Sequence, residues 1–145
     1  MKAPWFALEL TRQSALWAFH RGEPFRTIAS LEMLASLIGL MVLLPEESWR
    51  GARDTAGYIT LGCGTDNRGN TFLLDGLHTT KFPLGVVLME LAHQMRRRNA
   101  VLRASWLPRL QNEEADALTN SDFRHFNPEL RIAVALPGPT FGILN

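Results

Sequence analysis

The run "LEMLASLIGLMVLLP", residues 31 to 45, constrains this chain more than any other stretch. The spacing predicts a helix from about Ala29 to Leu44, stopped by Pro45. It is apolar on nearly every side. The exception is one stripe, Glu32, Ser36 and Gly39, at i, i+4 and i+7. Such a helix must be covered over most of its surface, so it has to pack against a sheet. Its uncharged part, Met33 to Leu44, falls well short of the ~20 residues a membrane span needs. A buried helix is therefore expected, and no membrane partner. The rest of the chain can supply the cover: of 145 residues, 46% are hydrophobic and 20% charged. That is one domain with a real core rather than a disordered tail.

A formal net charge of +1 gives no global attraction to nucleic acid, so any such binding must use a local patch. Cys63 is the single cysteine. An intrachain disulfide and four-cysteine zinc sites are excluded, and an intracellular location, cytoplasmic or nuclear, is expected. "MKAPW" is not a signal peptide, because no long apolar core follows before Glu9, Thr11 and Arg12.

"PWFALEL" (4–10) alternates Phe6, Leu8 and Leu10 against Trp5, Ala7 and Glu9. "SALWAFH" (14–20) is a second aromatic-rich run, and "TRQS" between them is turn-like, which predicts a β-hairpin. A polar loop covers 45–57. Tyr58 to Gly64 reads as a strand with Ile59, Leu61 and Cys63 on one face. "NTFLLDGLHTT" suits a short helix and loop. "FPLGVVLMELAHQMRRRN" predicts an amphipathic helix with Leu84, Val87, Leu88, Leu91 and Met95 as its apolar face. "VLRASWL" (101–107) alternates as a strand, and Asn112 can cap a last helix, "EEADALTNSDF". The pattern is lost after Phe126. The expectation is a domain over 1–126 with a C-terminal extension, 127–145, poorly ordered or docked elsewhere. The order hairpin, helix, strand, helix, strand, helix gives an α/β fold, a mixed sheet with helices on its faces.

Three carboxylates hold related places in that order. Glu32 sits in the only polar stripe of the buried helix. Asp66 follows a strand in "ITLGCGTDNRGN". Asp116 lies in the first turns of the last helix. Each has an ordinary explanation when taken alone. Asp66-Asn67 can simply close a strand, Glu32 can mark a solvent edge, and Asp116 can favour a helix N-terminus. Together, a carboxylate on a helix, a strand ending in TDN and an N-x-x-A-D-A-L segment form a more specific pattern.

In "SLEML", "TDNRGN" and "WLPRLQNEEADALTN" the chain resembles the ribonuclease H domain of retroelement reverse transcriptases, over roughly residues 4 to 123. The resemblance implies a ribonuclease H-like fold, a five-stranded mixed sheet flanked by helices. It implies metal-dependent hydrolysis of the RNA strand of RNA–DNA hybrids, with Mg²⁺ as cofactor and Mn²⁺ as an alternative. It also implies a polymerase domain as neighbour in a longer chain. By carry-over, Glu32, Asp66 and Asp116 are the catalytic metal ligands. Asn67, Arg68, Arg109 and Asn112 are the nucleic-acid contacts. Carboxylates suit this chemistry because oxygen ligands bind hard cations, and a cation pair can activate water and stabilise the leaving oxygen.

The chain departs from the family at its start. The family places a further aspartate on a first, central strand, yet no acidic residue precedes Glu9 here. The expected domain is thus N-terminally truncated, either continuing upstream or a decayed copy. An impaired enzyme follows from that. A non-catalytic nucleic-acid-binding or structural remnant, or a protein-interaction domain, are the alternatives. The histidine that the family often carries before the last helix is absent from "WLPRLQN". Arg96-Arg97-Arg98 is read first as charge complementing a helix C-terminus and second as a phosphate patch. Cys63 reads as core rather than as a nucleophile paired with His78 or His93. Trp5, Trp17 and Trp106 read as core rather than as base-stacking platforms.

Overall fold

In the computed structural model, residues 2–19, 22, 28–45, 58–134 and 141–144 are described. The apolar run forms helix α1, Ile28–Leu43, and buries Met33, Leu34, Leu37, Ile38 and Leu40. The amphipathic run forms α3, Leu84–Arg98, with Leu84, Val87, Leu88, Leu91 and Met95 all buried, as their spacing predicts. These two helices pack against each other, and their apolar faces make most of the core. Leu37 and Leu91 are wholly buried there, and each such side chain contributes roughly 1.5–3 kcal/mol.

The sheet is parallel. Strand β1, Ile59–Thr65, pairs with β2, Ala100–Trp106, in a register that sets Ile59 against Ala100 and Thr65 against Trp106. Parallel neighbours need a crossover, supplied here by α2, Arg68–Gly76, and by α3. Along β1, Ile59, Leu61 and Cys63 are half-buried while Thr60, Gly62 and Gly64 are exposed. The strand expectation therefore holds with its inner face correctly assigned. Along β2, burial fades from Ala100 and Leu102 at the start to an exposed Trp106 at the end. The strand thus runs out of the core toward its C-terminal end. A short helix, α4, Glu113–Thr119, follows a 3₁₀ turn at Arg109–Gln111.

The fold is mixed α/β, as the element order implies. The described residues form two strands rather than five, and the predicted hairpin is not formed. The alternation over 4–10 is genuine, with Phe6, Leu8 and Leu10 against the core and Glu9 exposed. Only Trp5 pairs with another backbone, however, in a single parallel bridge to Arg131. Local side-chain bonds redirect the chain after that. The Thr11 N–H donates to Ser14 Oγ (2.9 Å) and the Ser14 N–H to Thr11 Oγ1 (3.2 Å). Such bonds offer the backbone an alternative to a ladder. The small residues Ala15, just before a 3₁₀ turn at Leu16–Phe19, and Ala18, within it, are then buried. His20 and the predicted loop over 46–57 lie outside the described residues.

The segment after Phe126 is held at two places: near Trp5, and at Val134, Phe141 and Leu144 on the main core. Trp5 Nε1 donates to the Asn127 carbonyl (2.7 Å). The Trp5 ring packs at 5.3 Å from Phe123 and 5.2 Å from Phe126. Further on, Val134 and Phe141 pack against the core and Leu144 is buried within it. The wholly buried Glu90 of α3 accepts through Oε1 from the N–H groups of Ile143 (3.1 Å) and Leu144 (3.3 Å). This anchor had no sequence signal, since Glu90 falls within a helix whose polar residues are expected to face water.

Candidate functional site

Three links fix α1 across the end of β1. Ser36 Oγ lies 3.4 Å from Cys63 Sγ. One turn earlier, Glu32 is hydrogen-bonded by the side chain of Asn67. One turn earlier again, the Ala29 carbonyl accepts from Asn70 Nδ2 at 3.2 Å. Helix and strand therefore run in opposite directions, and the N-terminal end of α1 meets the C-terminal end of β1. The polar stripe Glu32, Ser36 and Gly39 is half-buried. It faces the strand and, at Gly39, the Phe6 ring, rather than water.

Glu32, Asp66, Asn67, Arg68, Gly69 and Trp106 line one open hollow at this end of the sheet. Its walls follow from local rules. Thr65 ends β1, and its hydroxyl accepts from the Asn67 N–H (3.1 Å). Asn67 is the N-cap of α2, accepting from the Asn70 N–H through Oδ1 (3.3 Å), which satisfies one of the orphan donors of a first helical turn. Its amide group is then left to hold Glu32. Trp106 Nε1 donates to the Asp66 carbonyl (3.2 Å), tying the end of β2 to the end of β1. The Arg68 guanidinium lies over the Trp106 ring, 4.2 Å from its centroid.

Glu32 is held above its ordinary carboxyl pKa of 4.5. Burial is the main cause, and the negative charge of Asp66 adds to it, while the bond from Asn67 pulls the other way. Oε2 of Glu32 is buried and has no hydrogen-bond partner. A buried carboxylate oxygen with no donor is costly, and a cation or a proton would relieve that cost. Two carboxylates set together, one with an orphaned oxygen, suit a single hard cation that completes its shell with water or phosphate oxygens.

The structure brings Glu32, Asp66, Asn67 and Arg68 to one place, and it does not bring Asp116, Arg109 or Asn112 into the lining of that hollow. Asp116 is exposed on α4, 3.7 Å from Arg109 Nη2. Asn112 occupies the N-cap position of α4, yet its side chain makes no capping bond. Its backbone carbonyl instead accepts from the Asp116 N–H (3.1 Å). The expected convergence of three carboxylates is therefore reduced to two. Among the described residues no group of three or more His, Cys, Asp or Glu side chains is placed to hold a metal ion.

Other expectations are settled more simply. Cys63 is half-buried against Ser36. His93 lies beside Gly142, at the docked tail. The arginine run is divided: Arg96 and Arg97 are exposed, while Arg98 is buried. Arg98 donates through Nε to the Leu44 carbonyl (2.6 Å) and through Nη1 to the Gln94 backbone carbonyl (3.3 Å). Arg98 thus closes the C-terminal end of α1 instead of offering charge to a phosphate. Trp5 is buried and Trp17 packs on the core, whereas Trp106 is 41% exposed. The core expectation for Trp106 fails because the end of β2 opens onto the hollow, where the Arg68 side chain lies over the ring. Gly69 and Trp106 are the lining residues the motifs did not single out for the site.

No helix among the described residues is long and apolar enough to cross a membrane. Comparison of the chain with protein-family models, curated proteins and solved structures returned no match.

Proposed function

We propose that this chain carries part of a ribonuclease H-type centre, a metal-dependent phosphodiesterase acting on the RNA strand of RNA–DNA hybrids. The observation that supports it is the shared hollow of Glu32 and Asp66, with Glu32 Oε2 buried and unpartnered. Those residues come from two of the three motifs that resemble the family. Mg²⁺, with Mn²⁺ as its alternative, would be held by Glu32 and Asp66. When bound, such an ion polarises a phosphodiester and lowers the pKa of a coordinated water. Asn67 orients Glu32, and Arg68 offers a cation to substrate phosphate at the rim.

Two carboxylates suffice for one ion and not for the paired ions of the family's reaction. The resemblance adds an aspartate from a strand beside β1. Among the described residues β1 pairs only with β2, and on this reading such a strand adds to its other edge. On this reading the chain alone cuts hybrid at a rate barely above background, and a polymerase domain is its neighbour in a longer chain. The test is calorimetric titration with Mn²⁺ on the chain and on Asp66→Asn and Glu32→Gln. Binding in the parent and its loss in both variants is expected. Equal binding by all three sinks the reading. Fusion of an aspartate-bearing strand ahead of residue 1 should then raise hybrid cleavage by orders of magnitude.

A second reading, a non-catalytic nucleic-acid-binding remnant, is favoured by one observation: Asp116 is paired with Arg109 outside the hollow. If the fused strand stabilises the protein and yields no cleavage, this second reading replaces the first.

A further inference from the structure

The rim of the hollow has a chemistry that the carboxylates do not use. Trp106 closes one side, and its indole is fixed by the bond from Nε1 to the Asp66 carbonyl. Despite that fixed position, 41% of the residue meets solvent. Arg68 reaches over the ring, its guanidinium carbon 4.2 Å from the centroid. Among the described residues Arg68 makes no ion pair within 4 Å, and its guanidinium packs on the aromatic face. One helical turn further along α2, at i+4, stands Phe72, 75% exposed. Residues i and i+4 are neighbours on a helix surface. The rim therefore carries an aromatic group and a cation in contact, Trp106 and Arg68, and the i+4 spacing puts the exposed Phe72 next to Arg68 on the surface of α2, outside the hollow.

Folding accounts for the placement of Trp106, through its bond to Asp66, and not for the exposed Phe72. Phe72 contributes nothing to the core, because the buried side of α2 is made by Asn70 and Leu74. Exposed aromatic groups cost solubility unless something covers them. The two aromatic groups differ in kind from an apolar docking patch, because a cation, Arg68, accompanies them: its guanidinium lies over Trp106 and its helix position is four residues before Phe72. That combination fits a chain of stacked planar groups joined by negative charges. Bases stack on aromatic rings and on guanidinium planes, and the phosphates between them pair with the cation.

We propose that Trp106, Arg68 and Phe72 form a stacking track for unpaired nucleotides of a single-stranded nucleic acid, running along the start of α2 to the carboxylate hollow. The proposal rests on the functional reading above for its choice of nucleic acid as ligand. It does not require a metal ion or cleavage. A base stacks on the exposed part of Trp106 or on the Arg68 plane, and the next one or two reach Phe72. Because every base has a π face, the track is tolerant of sequence. It prefers unpaired nucleotides, since bases within a duplex present only their edges.

The test is fluorescence anisotropy with a fluorescein-labelled ten-nucleotide oligothymidylate. DNA is chosen so that a ribonuclease cannot consume the probe. Titrations are run at low salt in EDTA, with a blunt DNA duplex of the same length as comparison. Binding of the single strand ahead of the duplex is expected. Phe72→Ala should weaken it about 5- to 150-fold, the range for losing one stacked base, and Trp106→Leu should do the same. Arg68→Lys keeps the charge and loses the plane, and it should weaken binding several-fold. Phe72→Ala is the safest variant, because that side chain lies outside the core. Circular dichroism establishes that each variant is folded. Parent-like affinity in Phe72→Ala and Arg68→Lys, equal affinity for the blunt duplex, or no binding by the parent each overturns the track. Failure of the catalytic reading looks different: Mn²⁺ binding is then indifferent to Asp66→Asn while the single strand still binds in EDTA.

Discussion

Ser36 Oγ stands 3.4 Å from Cys63 Sγ, and this contact determines where Glu32 falls. It fixes the register of α1 against β1 in the middle of the strand. Glu32 is then one turn nearer the helix N-terminus and comes level with the residues that follow β1. Only there can it meet Asp66 and Asn67. Both side chains are half-buried, so the contact lies between helix and strand rather than in solvent. The pairing of the two acidic residues is therefore a consequence of packing deeper in the protein.

Glu32 should leave a pH signature on stability. Its pKa is raised in the folded state, chiefly by burial and then by Asp66. The folded protein thus holds this proton more tightly than the unfolded chain does. The stabilisation is fully present below the ordinary value of 4.5 and is lost as pH rises through the folded-state value. Glu32→Gln should accordingly be more stable than the parent near neutral pH, with the difference vanishing in acid. The gain should be below about 1 kcal/mol, since Glu32 is only half-buried and solvent screens part of its charge. Thermal unfolding of both proteins across pH 3.5 to 8 checks this. A Glu32→Gln protein that is less stable than the parent near pH 7 contradicts the desolvation argument.

Asp116 provides a contrast. It lies on exposed α4 with Arg109 as its ion-pair partner, and it does not line the hollow. Asp116→Asn should leave Mn²⁺ affinity unchanged within about twofold and shift stability by at most about 1 kcal/mol, as for other surface pairs. A tenfold loss of Mn²⁺ affinity in Asp116→Asn would show that α4 swings over the hollow when cation binds. Measuring the variant beside Asp66→Asn in one titration series makes the comparison internal.

Much of this arrangement could be read in the residues, and the exceptions have physical causes. The periodicity of Leu84, Val87, Leu88, Leu91 and Met95 located α3 and its buried face, because amphipathic helices bury what their spacing aligns. Alternation located β1, with Cys63 inward. The same alternation misled at residues 4–10. A period of two shows that a segment is extended with one covered side, and it does not show that a neighbouring strand is there to pair with. Thr11 and Ser14 then turned the chain through bonds that no hydrophobic pattern reveals. Glu90 and Arg98 were beyond pattern reading for another reason. Each is a charged residue on a helix, which ordinarily faces water, and each is buried to satisfy backbone groups of a distant segment. Trp106 was assigned to the core because its strand alternates. Only the register against β1, with Thr65 opposite, shows that the strand extends past its cover.

Arg98 should be among the costliest side chains to remove. Its guanidinium is buried and closes the Leu44 carbonyl, near the last turn of α1, as well as the Gln94 carbonyl. Helix ends leave carbonyls without partners, and here a residue 54 positions away supplies the donor. Arg98→Met keeps much of the aliphatic volume and removes every donor. The expected loss is about 2–4 kcal/mol, combining stranded buried carbonyls with lost packing. Arg96→Met, one of the exposed members of the same run, should cost under about 0.5 kcal/mol. Urea unfolding of the two variants side by side measures both. Equal effects would mean that Arg98 acts only as one more charge at the end of α3.

The C-terminal segment should come loose when Glu90 loses its acceptor. Oε1 of Glu90 accepts from the N–H groups of Ile143 and Leu144, and the side chain is wholly buried. Oε2 is buried with no partner, so the carboxylate holds the tail at some cost to itself. Two opposing effects follow for Glu90→Met. Two charge-assisted bonds are lost, while the unsatisfied oxygen disappears with them. The net cost should therefore be modest, about 1–2 kcal/mol. The local effect should be larger than the global one. Hydrogen exchange at Ile143 and Leu144 should accelerate by at least tenfold in Glu90→Met, ahead of exchange in the middle of α3. Glu90→Gln retains a carbonyl oxygen in the same place, so it should preserve most of the protection at both amides. If Glu90→Met leaves those amides as protected as in the parent, Leu144 is held by its burial in the core and the carboxylate is incidental.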